Sequence, residues 1–325
     1  MAGGVMLGLG AGLLACGGEE ETFCDLQVAL QHGDRSTDVV FSPDGKLLAS
    51  TSWDRTIKIS DPKTGELVRS IEGIVDDGEE VAFRADGKVL AAADSSGVKL
   101  VDVSSGELIR ETEIGRNLVQ GLEFSPDGSL LAVGSWTSDD VKIVDGESGK
   151  EVARLIGHER GGRSVAFSPD GKLLATTSDD GTVRLWDMKT MSEVRVLPVG
   201  VATRGVDFSP DGKLLAVGTV GEGAVVVWDA GGWGVRYSIA VDSGAETRSG
   251  LFRGVNEIDF SSDGGLLATV GFDGRVRLWD PATGTDLGLA TAHEDQAMAV
   301  RFSPDGKILA SAGFTGEVVV VGVCP

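Results

Sequence analysis

Short apolar segments alternate with polar turns through residues 25–325. The segments "DVVFS" and "KLLAS" flank Ser-Pro-Asp-Gly and are rich in branched apolar residues, as strands are. In that turn Pro fixes a corner, Asp can bond nearby backbone and Gly accepts positive φ. The strand "TVRLWD", a turn such as "DPKTGE" and a strand such as "LVRSI" complete the unit. No unit contains a long apolar pattern of helical period, so the sequence predicts four short strands per unit.

The unit recurs at a nearly constant period. "FSPDGKLLA" is present three times, and looser forms such as "FRADGKVLA" bring the copies to seven. The phenylalanines that begin the copies are Phe41, Phe83, Phe124, Phe167, Phe208, Phe260 and Phe302. Their successive intervals are 42, 41, 43, 41, 52 and 42 residues. The sequence therefore predicts an all-β fold: a seven-bladed β-propeller of four-stranded antiparallel blades, with one insertion.

The residues at the ends of the third strands resemble the Trp-Asp motif of the WD-repeat family. Trp-Asp pairs stand there in units four, five and six, at Trp186-Asp187, Trp228-Asp229 and Trp279-Asp280. The other units depart from this pattern, with Ser60-Asp61, Val101-Asp102, Val144-Asp145 and Val321-Gly322. The resemblance covers about residues 25–325 and is specific for the fold. It says little about function, which depends on sites placed on a fold.

The three histidines share one register. His32, His158 and His293 each lie nine residues before the phenylalanine of their unit. The resemblance implies that such a histidine bonds an aspartate in the next tight turn, supported by a hydroxyl and the tryptophan. Unit four has the full set: His158, Thr176, Asp180 and Trp186.

Units one and seven have partial sets. Unit one has His32, Ser50 and Asp54, with Ser60 in place of the tryptophan. In unit seven, Thr315 stands where the aspartate is expected. The alternative for the histidines is metal ligation or general-base chemistry. Since the three lie in separate blades, we assign them to blade architecture.

No catalytic or cofactor motif is present. The chain has no G-x-S-x-G elbow, no H-E-x-x-H and no phosphate loop. We therefore expect no catalytic residues, no metal site and no cofactor. The formal net charge of −21 would repel phosphate backbones, which argues against nucleic acid as a partner.

The N-terminus suggests export. "MAGGVMLGLGAGLLAC" is apolar but too short to span a bilayer as a helix. It looks like a secretion signal, and "LLAC" resembles the bacterial lipobox, which implies lipidation of Cys16. No Lys or Arg precedes Cys16, a departure from that pattern. We expect an export signal at 1–16, a polar tether at 17–24 and the propeller at 25–325. The expected location is the bacterial cell envelope, lipid-anchored or periplasmic; the alternative is a cytoplasmic protein with an apolar tail.

One face of the propeller, here called the top, is expected to carry the partner site. It holds the loops before the first strand and between the second and third strands of each unit. Trp53, Phe272 and Phe314 fall in the second turn of the neighbouring units one, six and seven. Three exposed aromatics side by side would form an apolar patch suited to binding.

Two further features belong to the same face. The insertion "DSGAETRSGLFRGVNE" enters unit six there and contains Phe252 and Arg253. Arg163, Arg204 and Asn256 lie four residues before the phenylalanines of their units and should ring the mouth of the channel. We expect them to contact a partner; the alternative is that they only solvate the rim or pair with nearby carboxylates.

The two ends of the chain are expected to meet. The last unit has three strands, and "DLQVALQ", from Asp25, is the available fourth. Pairing it with "EVVVVGV" would cover an exposed edge and bring Cys24 near Cys324. A disulfide between them fits the spacing of adjacent antiparallel strands and an oxidising compartment.

The function expected from these features is a non-catalytic, monomeric scaffold that presents its top face to a protein or peptide. Its contact with a membrane would be through the lipid anchor alone. The alternative is an exported enzyme or small-ligand binder that uses the central channel. That site needs polar groups converging on the axis, and the channel-facing strands supply only scattered charges. A fragment of a larger sensor or assembly is a third reading.

Overall fold

The molecule is a β-propeller built from antiparallel strands. A computed structural model describes residues 23–112, 114, 118–221, 223–241 and 254–324, with backbone alone for 23–25. The described residues form twenty-eight strands, numbered in chain order, in seven groups of four. One bridge, Ser135 to Gly162, joins the third and fourth groups into an eight-stranded sheet. The prediction of an all-β propeller of four-stranded antiparallel blades is confirmed.

Each blade runs from an inner strand beside the axis to an outer strand at the perimeter. The inner strands are β2 (Ser36–Phe41), β6 (Glu80–Phe83), β10 (Val119–Phe124), β14 (Gly162–Phe167), β18 (Thr203–Phe208), β22 (Val255–Phe260) and β26 (Ala297–Phe302). The second strands are β3 (Leu48–Ser52), β7 (Val89–Asp94), β11 (Leu130–Ser135), β15 (Leu173–Ser178), β19 (Leu214–Thr219), β23 (Leu267–Gly271) and β27 (Ile308–Gly313).

The outer half of each blade completes the sheet. The third strands are β4 (Thr56–Ser60), β8 (Gly97–Asp102), β12 (Asp140–Asp145), β16 (Thr182–Asp187), β20 (Ala224–Asp229), β24 (Arg275–Asp280) and β28 (Glu317–Val323). The outermost strands are β5 (Leu67–Glu72), β9 (Leu108–Thr112), β13 (Glu151–Ile156), β17 (Ser192–Pro198), β21 (Gly234–Ala240), β25 (Thr285–Ala292) and β1 (Phe23–Gln31).

The repeated Ser-Pro-Asp-Gly stretch closes the turn between the first two strands. In blade one the Ser42 hydroxyl donates to Asp44 and accepts from the Leu47 amide, 2.7 and 3.0 Å away. Gly45 has φ of 69°, the left-handed region that favours glycine. These contacts explain why the chain repeats the sequence: each blade needs the same local turn.

The ring closes between the last and first blades. The inner strands contact one another in cyclic order, and β26 contacts β2. Val39 and Phe41 of blade one share a buried cluster with Val318 and Val320 of blade seven. The N-terminal strand β1 pairs antiparallel with β28 and completes blade seven, as predicted. The hydrophobic core therefore lies between neighbouring blades all around the ring.

Candidate interaction surface at the top of the propeller

The structure brings His158 together with its expected partners. Its Nδ1 lies 2.9 Å from Asp180 Oδ2, and its Nε2 lies 2.8 Å from Thr176 Oγ1. The indole N–H of Trp186 donates to the same hydroxyl at 2.9 Å. Burial lowers the pKa of His158, so the imidazole is neutral at neutral pH. Burial opposes ionisation of Asp180, but hydrogen bonds, that from Thr182 foremost, lower its pKa to about 2.

The other two histidines have similar contacts. His32 lies 2.7 Å from Ser50 Oγ and 3.2 Å from Asp54 Oδ2. His293 lies 2.8 Å from both Ser311 Oγ and Glu317 Oε1. Glu317 thus supplies the carboxylate that Thr315 does not. Sequence reasoning missed it because Glu317 lies two residues later, at the start of β28. Within the described part of the chain, no group of three or more His, Cys, Asp and Glu residues could hold a metal ion.

The aromatic residues of the top face are arranged around arginines. Trp53 is 37% exposed, and the guanidinium of Arg35 lies 4.2 Å from its ring centroid. The same guanidinium lies 4.0 Å from the ring centroid of Phe314. Arg35 is therefore held between two aromatic rings where blades seven and one meet. Such contacts restrict the rings and present a mixed cationic and aromatic surface.

The expectation that Phe272 belongs to an exposed apolar patch is wrong. Phe272 is buried, with its ring centroid 5.1 Å from the guanidinium of Arg204. Trp136, which sequence reasoning did not single out, is 49% exposed and packs against Arg163 at 4.9 Å. The signal was available, because Trp136 follows its second strand directly, as Trp53 does.

Arg163, Arg204 and Asn256 lie at the mouth of the channel, each within an irregularity of its inner strand. The register shifts between Gly162 and Val165, between Thr203 and Val206, and between Val255 and Glu257. Bulges of this kind re-aim side chains and are frequent near functional sites. Phe252 and Arg253, also predicted to bind a partner, lie outside the described residues, as does Cys16.

Beside this mouth, blades four and five enclose a polar cleft. It has a volume of about 330 Å³ and is lined on one side by Glu159, Arg160, Asp179 and Asp180. Residues 200–202 and Gly181 form the rest of the wall. Asp179 pairs with Arg163, and Asp180 is hydrogen-bonded to the neutral His158, so both carboxylates of the cleft already have partners within the protein.

The expectation of only scattered charges in the channel is also wrong. Among the described residues, six carboxylates from five inner strands interact electrostatically with Arg301 of β26: Asp38, Glu80, Glu123, Asp207, Glu257 and Asp259. Burial, then repulsion among these carboxylates, raises the pKa of Glu123 and Asp259 to about 8. Single positions on separate strands look unrelated in the sequence, but the ring brings them together.

Most of these channel carboxylates form a hydrogen bond or an ion pair with a residue of the next blade. Asp38 accepts from the Val81 amide at 3.0 Å, and Glu123 from the Phe167 amide at 2.8 Å. Asp207 accepts from the Phe260 amide at 2.8 Å. Asp259 accepts in the same way from blade seven, and Glu257 pairs with Arg301 at 2.5 Å. These hydrogen bonds and the ion pair therefore link neighbouring blades around the axis.

Comparison with known proteins supports a WD-repeat family for the chain. The family described as "WD domain, G-beta repeat" matches residues 25–61, 248–280 and 285–320. Coronin-7 of Rattus norvegicus is 36% identical over 127 residues, which cover 36% of this chain and 14% of coronin-7. WD repeat domain-containing protein 83 of Danio rerio is 32% identical over 97 residues, 29% of this chain and 31% of that protein. The chain thus matches under a third of the length of either relative.

A second family, "Cytochrome D1 heme domain", matches residues 128–235. Haem iron is held by His, Cys, Met or Tyr side chains. His158, the one histidine in this segment, uses both ring nitrogens for Asp180 and Thr176. Met188 and Met191 pack in the hydrophobic core between blades. The residues present therefore do not fit haem ligation.

The structure contains no helix, within the residues it describes, that is long and apolar enough to cross a membrane.

Proposed function

We propose that this protein is a non-catalytic interaction scaffold whose top face binds a protein or peptide. The observation that carries this proposal is the clamp of Arg35 between Trp53 and Phe314, with Trp53 exposed at the surface. Aromatic residues and arginine are the side chains most enriched where binding energy concentrates. WD-repeat propellers generally bind protein partners, which agrees with this role.

The surroundings of the clamp support the same face. Trp136, whose ring contacts Arg163, is a second exposed indole on this face. The turns of the opposite face repeat Ser-Pro-Asp-Gly in nearly the same form in each blade. They therefore give a partner little by which to recognise one part of that face specifically. The channel carboxylates are used between blades, which favours a structural role for the channel over a ligand site.

We further propose that the propeller works as a monomer in the bacterial cell envelope, held to a membrane by lipid on Cys16. The location and the anchor rest on the N-terminal sequence, in which "LLAC" resembles a lipobox. The apolar stretch before it suits a secretion signal, and the residues after it suit a polar tether.

A matched pair of surface variants tests the top face. Trp53→Ala with Trp136→Ala removes the two exposed indoles, and Leu108→Ala with Val152→Ala removes exposed apolar groups from the perimeter. Each protein is used for affinity capture from membrane extracts, followed by quantitative mass spectrometry. We expect the top-face variant to lose partners that the perimeter variant retains. Recovery of the same partners by all proteins would contradict the proposal.

A further inference from the structure

The N-terminal strand β1 enters the propeller at the face opposite the top, here called the bottom. Its first residue, Phe23, pairs with Val323 at the end of β28. The amide of Val323 donates at 2.8 Å to the carbonyl of Lys307, which follows a Ser-Pro-Asp-Gly turn of the bottom face. Beyond the other end of β1, the amide of His32 donates at 2.8 Å to the carbonyl of Gly316, in a turn of the top face. The chain therefore joins the propeller at the bottom edge of blade seven.

The number of residues before β1 limits how far Cys16 can lie from this edge. Cys16 precedes Phe23 by seven residues, and seven residues of chain span at most about 25 Å. The nine residues of β1 run from the bottom to the top over about 26 Å, and the loops of the top face extend beyond them. Lipid on Cys16 would hold that residue at the membrane surface. Placing the top face on the membrane would therefore need more chain than residues 17–22 supply.

Every exposed lysine lies on the bottom face. All eleven lysines of the chain are among the described residues, and three of them, Lys58, Lys99 and Lys142, lie on third strands and donate to groups within the protein. The other eight are exposed and stand in turns that join the first strand to the second or the third strand to the fourth: Lys46, Lys63, Lys88, Lys150, Lys172, Lys189, Lys213 and Lys307.

These ammonium groups can exchange their partners easily. Nζ of Lys46 lies 3.0 Å from Asp44, and Nζ of Lys172 lies 2.7 Å from Asp170, with the lysine side chains 79% and 80% exposed. Exposed ion pairs of this kind contribute little to stability. The aspartate does not depend on its lysine, because Asp44 also accepts from the Ser42 hydroxyl of its own turn. The lysines can therefore turn toward phosphate groups of lipids.

The same turns carry aspartates, so charge alone would not hold this face to a membrane. Asp61, Asp102 and Asp145, for example, each accept backbone amides in a turn between the third and fourth strands. Attachment must then come from the lipid, and the lysines only set which groups meet the headgroups. The near-identical turns also suit lipid, whose surface requires no specific recognition.

We propose that the bottom face of the anchored propeller lies against the membrane, with its lysines at the lipid phosphate groups. This inference rests on the proposed lipid on Cys16 and adds the orientation of the anchored domain. The top face, with Trp53 and Trp136, then points into the aqueous space. Its partner is accordingly a protein or peptide that approaches from that space, rather than one embedded in the membrane beneath the propeller.

Ser129 and Trp136 form a matched pair of positions for measuring the orientation. Both are exposed and flank β11, Ser129 directly before it on the bottom and Trp136 directly after it on the top, about 20 Å apart. They lie in blade three, across the ring from the edge where the chain enters, so they report on the whole face.

The measurement is energy transfer from a fluorescent amino acid at one of these two positions to an acceptor dye on lipid headgroups. Full-length protein, with lipid on Cys16 verified by mass spectrometry, is reconstituted on vesicles of phosphatidylethanolamine and phosphatidylglycerol. We expect stronger transfer from position 129 than from position 136. Equal transfer from the two positions, or stronger transfer from position 136, would overturn the orientation.

The part played by the lysines is tested by Lys46→Gln, Lys172→Gln and Lys213→Gln in one protein. Transfer from position 129 should fall, because the face is then held only at the edge of blade seven. The control removes three exposed positive charges from the top and the perimeter: Arg55→Gln, Arg160→Gln and Arg195→Gln. It should leave the transfer unchanged. No fall in the lysine variant, or an equal fall in the control, would overturn the contact between lysines and phosphate.

Failure of the anchor and failure of the orientation give different results. Wild-type protein without lipid on Cys16 would refute the proposed anchor and this inference with it. Lipidated protein with equal or reversed transfer would refute the orientation alone. Cys16→Ser should not bind the vesicles, and binding by this variant in the same orientation would overturn the argument from the length of the tether.

Discussion

Asp180 Oδ2 lies 2.9 Å from Nδ1 of His158 and also accepts the backbone N–H of Glu159 at 3.0 Å. One carboxylate thereby joins the tight turn of blade four to the loop that enters the blade. The imidazole of His158 is also hydrogen-bonded to the Thr176 hydroxyl, and that hydroxyl accepts a hydrogen bond from the indole N–H of Trp186. The network spans the blade from its outer loop to its third strand.

Asp180→Ala should destabilise the propeller by about 1–3 kcal/mol, because it leaves the buried His158 without one partner. Asp229→Ala is the control, since Asp229 is exposed and bonds only the backbone amides of its own turn. Thermal and denaturant unfolding should show a clearly larger loss for Asp180→Ala. Equal losses for the two variants would argue against a stabilising histidine network.

Channel carboxylates should make the protein less stable as the pH rises. Glu123 has a pKa of about 8 in the folded state, raised by burial above its ordinary value of 4.5. Between these values the folded state binds the proton more tightly than the unfolded chain does. The free energy of unfolding therefore falls as pH increases from about 5 to about 8.

Glu123→Gln should remove part of this dependence. The new side chain keeps an oxygen for the Phe167 amide but carries no charge. Because one pKa unit corresponds to about 1.4 kcal/mol, we expect a gain of about 1–3 kcal/mol over wild type at pH 8 and little gain at pH 5. Glu107→Gln, on the exposed turn of blade two, is the control. Parallel pH profiles for wild type and Glu123→Gln would refute the assignment.

The ends of the chain should be joined by a Cys24–Cys324 disulfide. Cys24 pairs with Gly322 and Phe23 with Val323, so the backbones run side by side next to Cys324. The Cys24 side chain lies outside the described residues. Peptide mapping of unreduced protein from the periplasm should find the two terminal peptides linked. Reduction should lower stability by upwards of about 4 kcal/mol, less any strain, and free thiols at both positions would contradict the prediction.

Cys16 should carry lipid. Wild-type protein expressed in bacteria should incorporate a palmitate analogue and partition into detergent, and Cys16→Ser should do neither. Cys24→Ser serves as the control cysteine change and should still be labelled. Wild-type protein found unlabelled in the cytosolic fraction, with its N-terminus uncleaved, would refute the lipoprotein proposal.

The sequence predicted the fold because its information is local and repeated. The turn at Ser42 and Asp44 needs only neighbouring residues, and seven copies reveal the blades. The pairing of β1 with β28 followed from a missing strand.

The contacts between blades were not predictable in this way. Arg35 meets Trp53 and Phe314 only because the ring closes, and Glu123 meets Arg301 only across the channel. Periodicity fixes which strand a residue occupies, but the neighbours across the axis depend on the closed ring. Glu317 was missed for a related reason, since a longer side chain two residues away can replace the expected aspartate.

The most direct test of top-face binding is site-specific photo-crosslinking in the living cell. A benzophenone amino acid is placed at Trp53 or Trp136 on the top, and at Lys46 or Lys172 in the Ser-Pro-Asp-Gly turns on the opposite face. The account predicts that irradiation gives discrete crosslinked proteins from the two top positions and none of them from the two bottom positions. Crosslinks of equal yield to the same proteins from the bottom turns, or from the bottom turns alone, would contradict it.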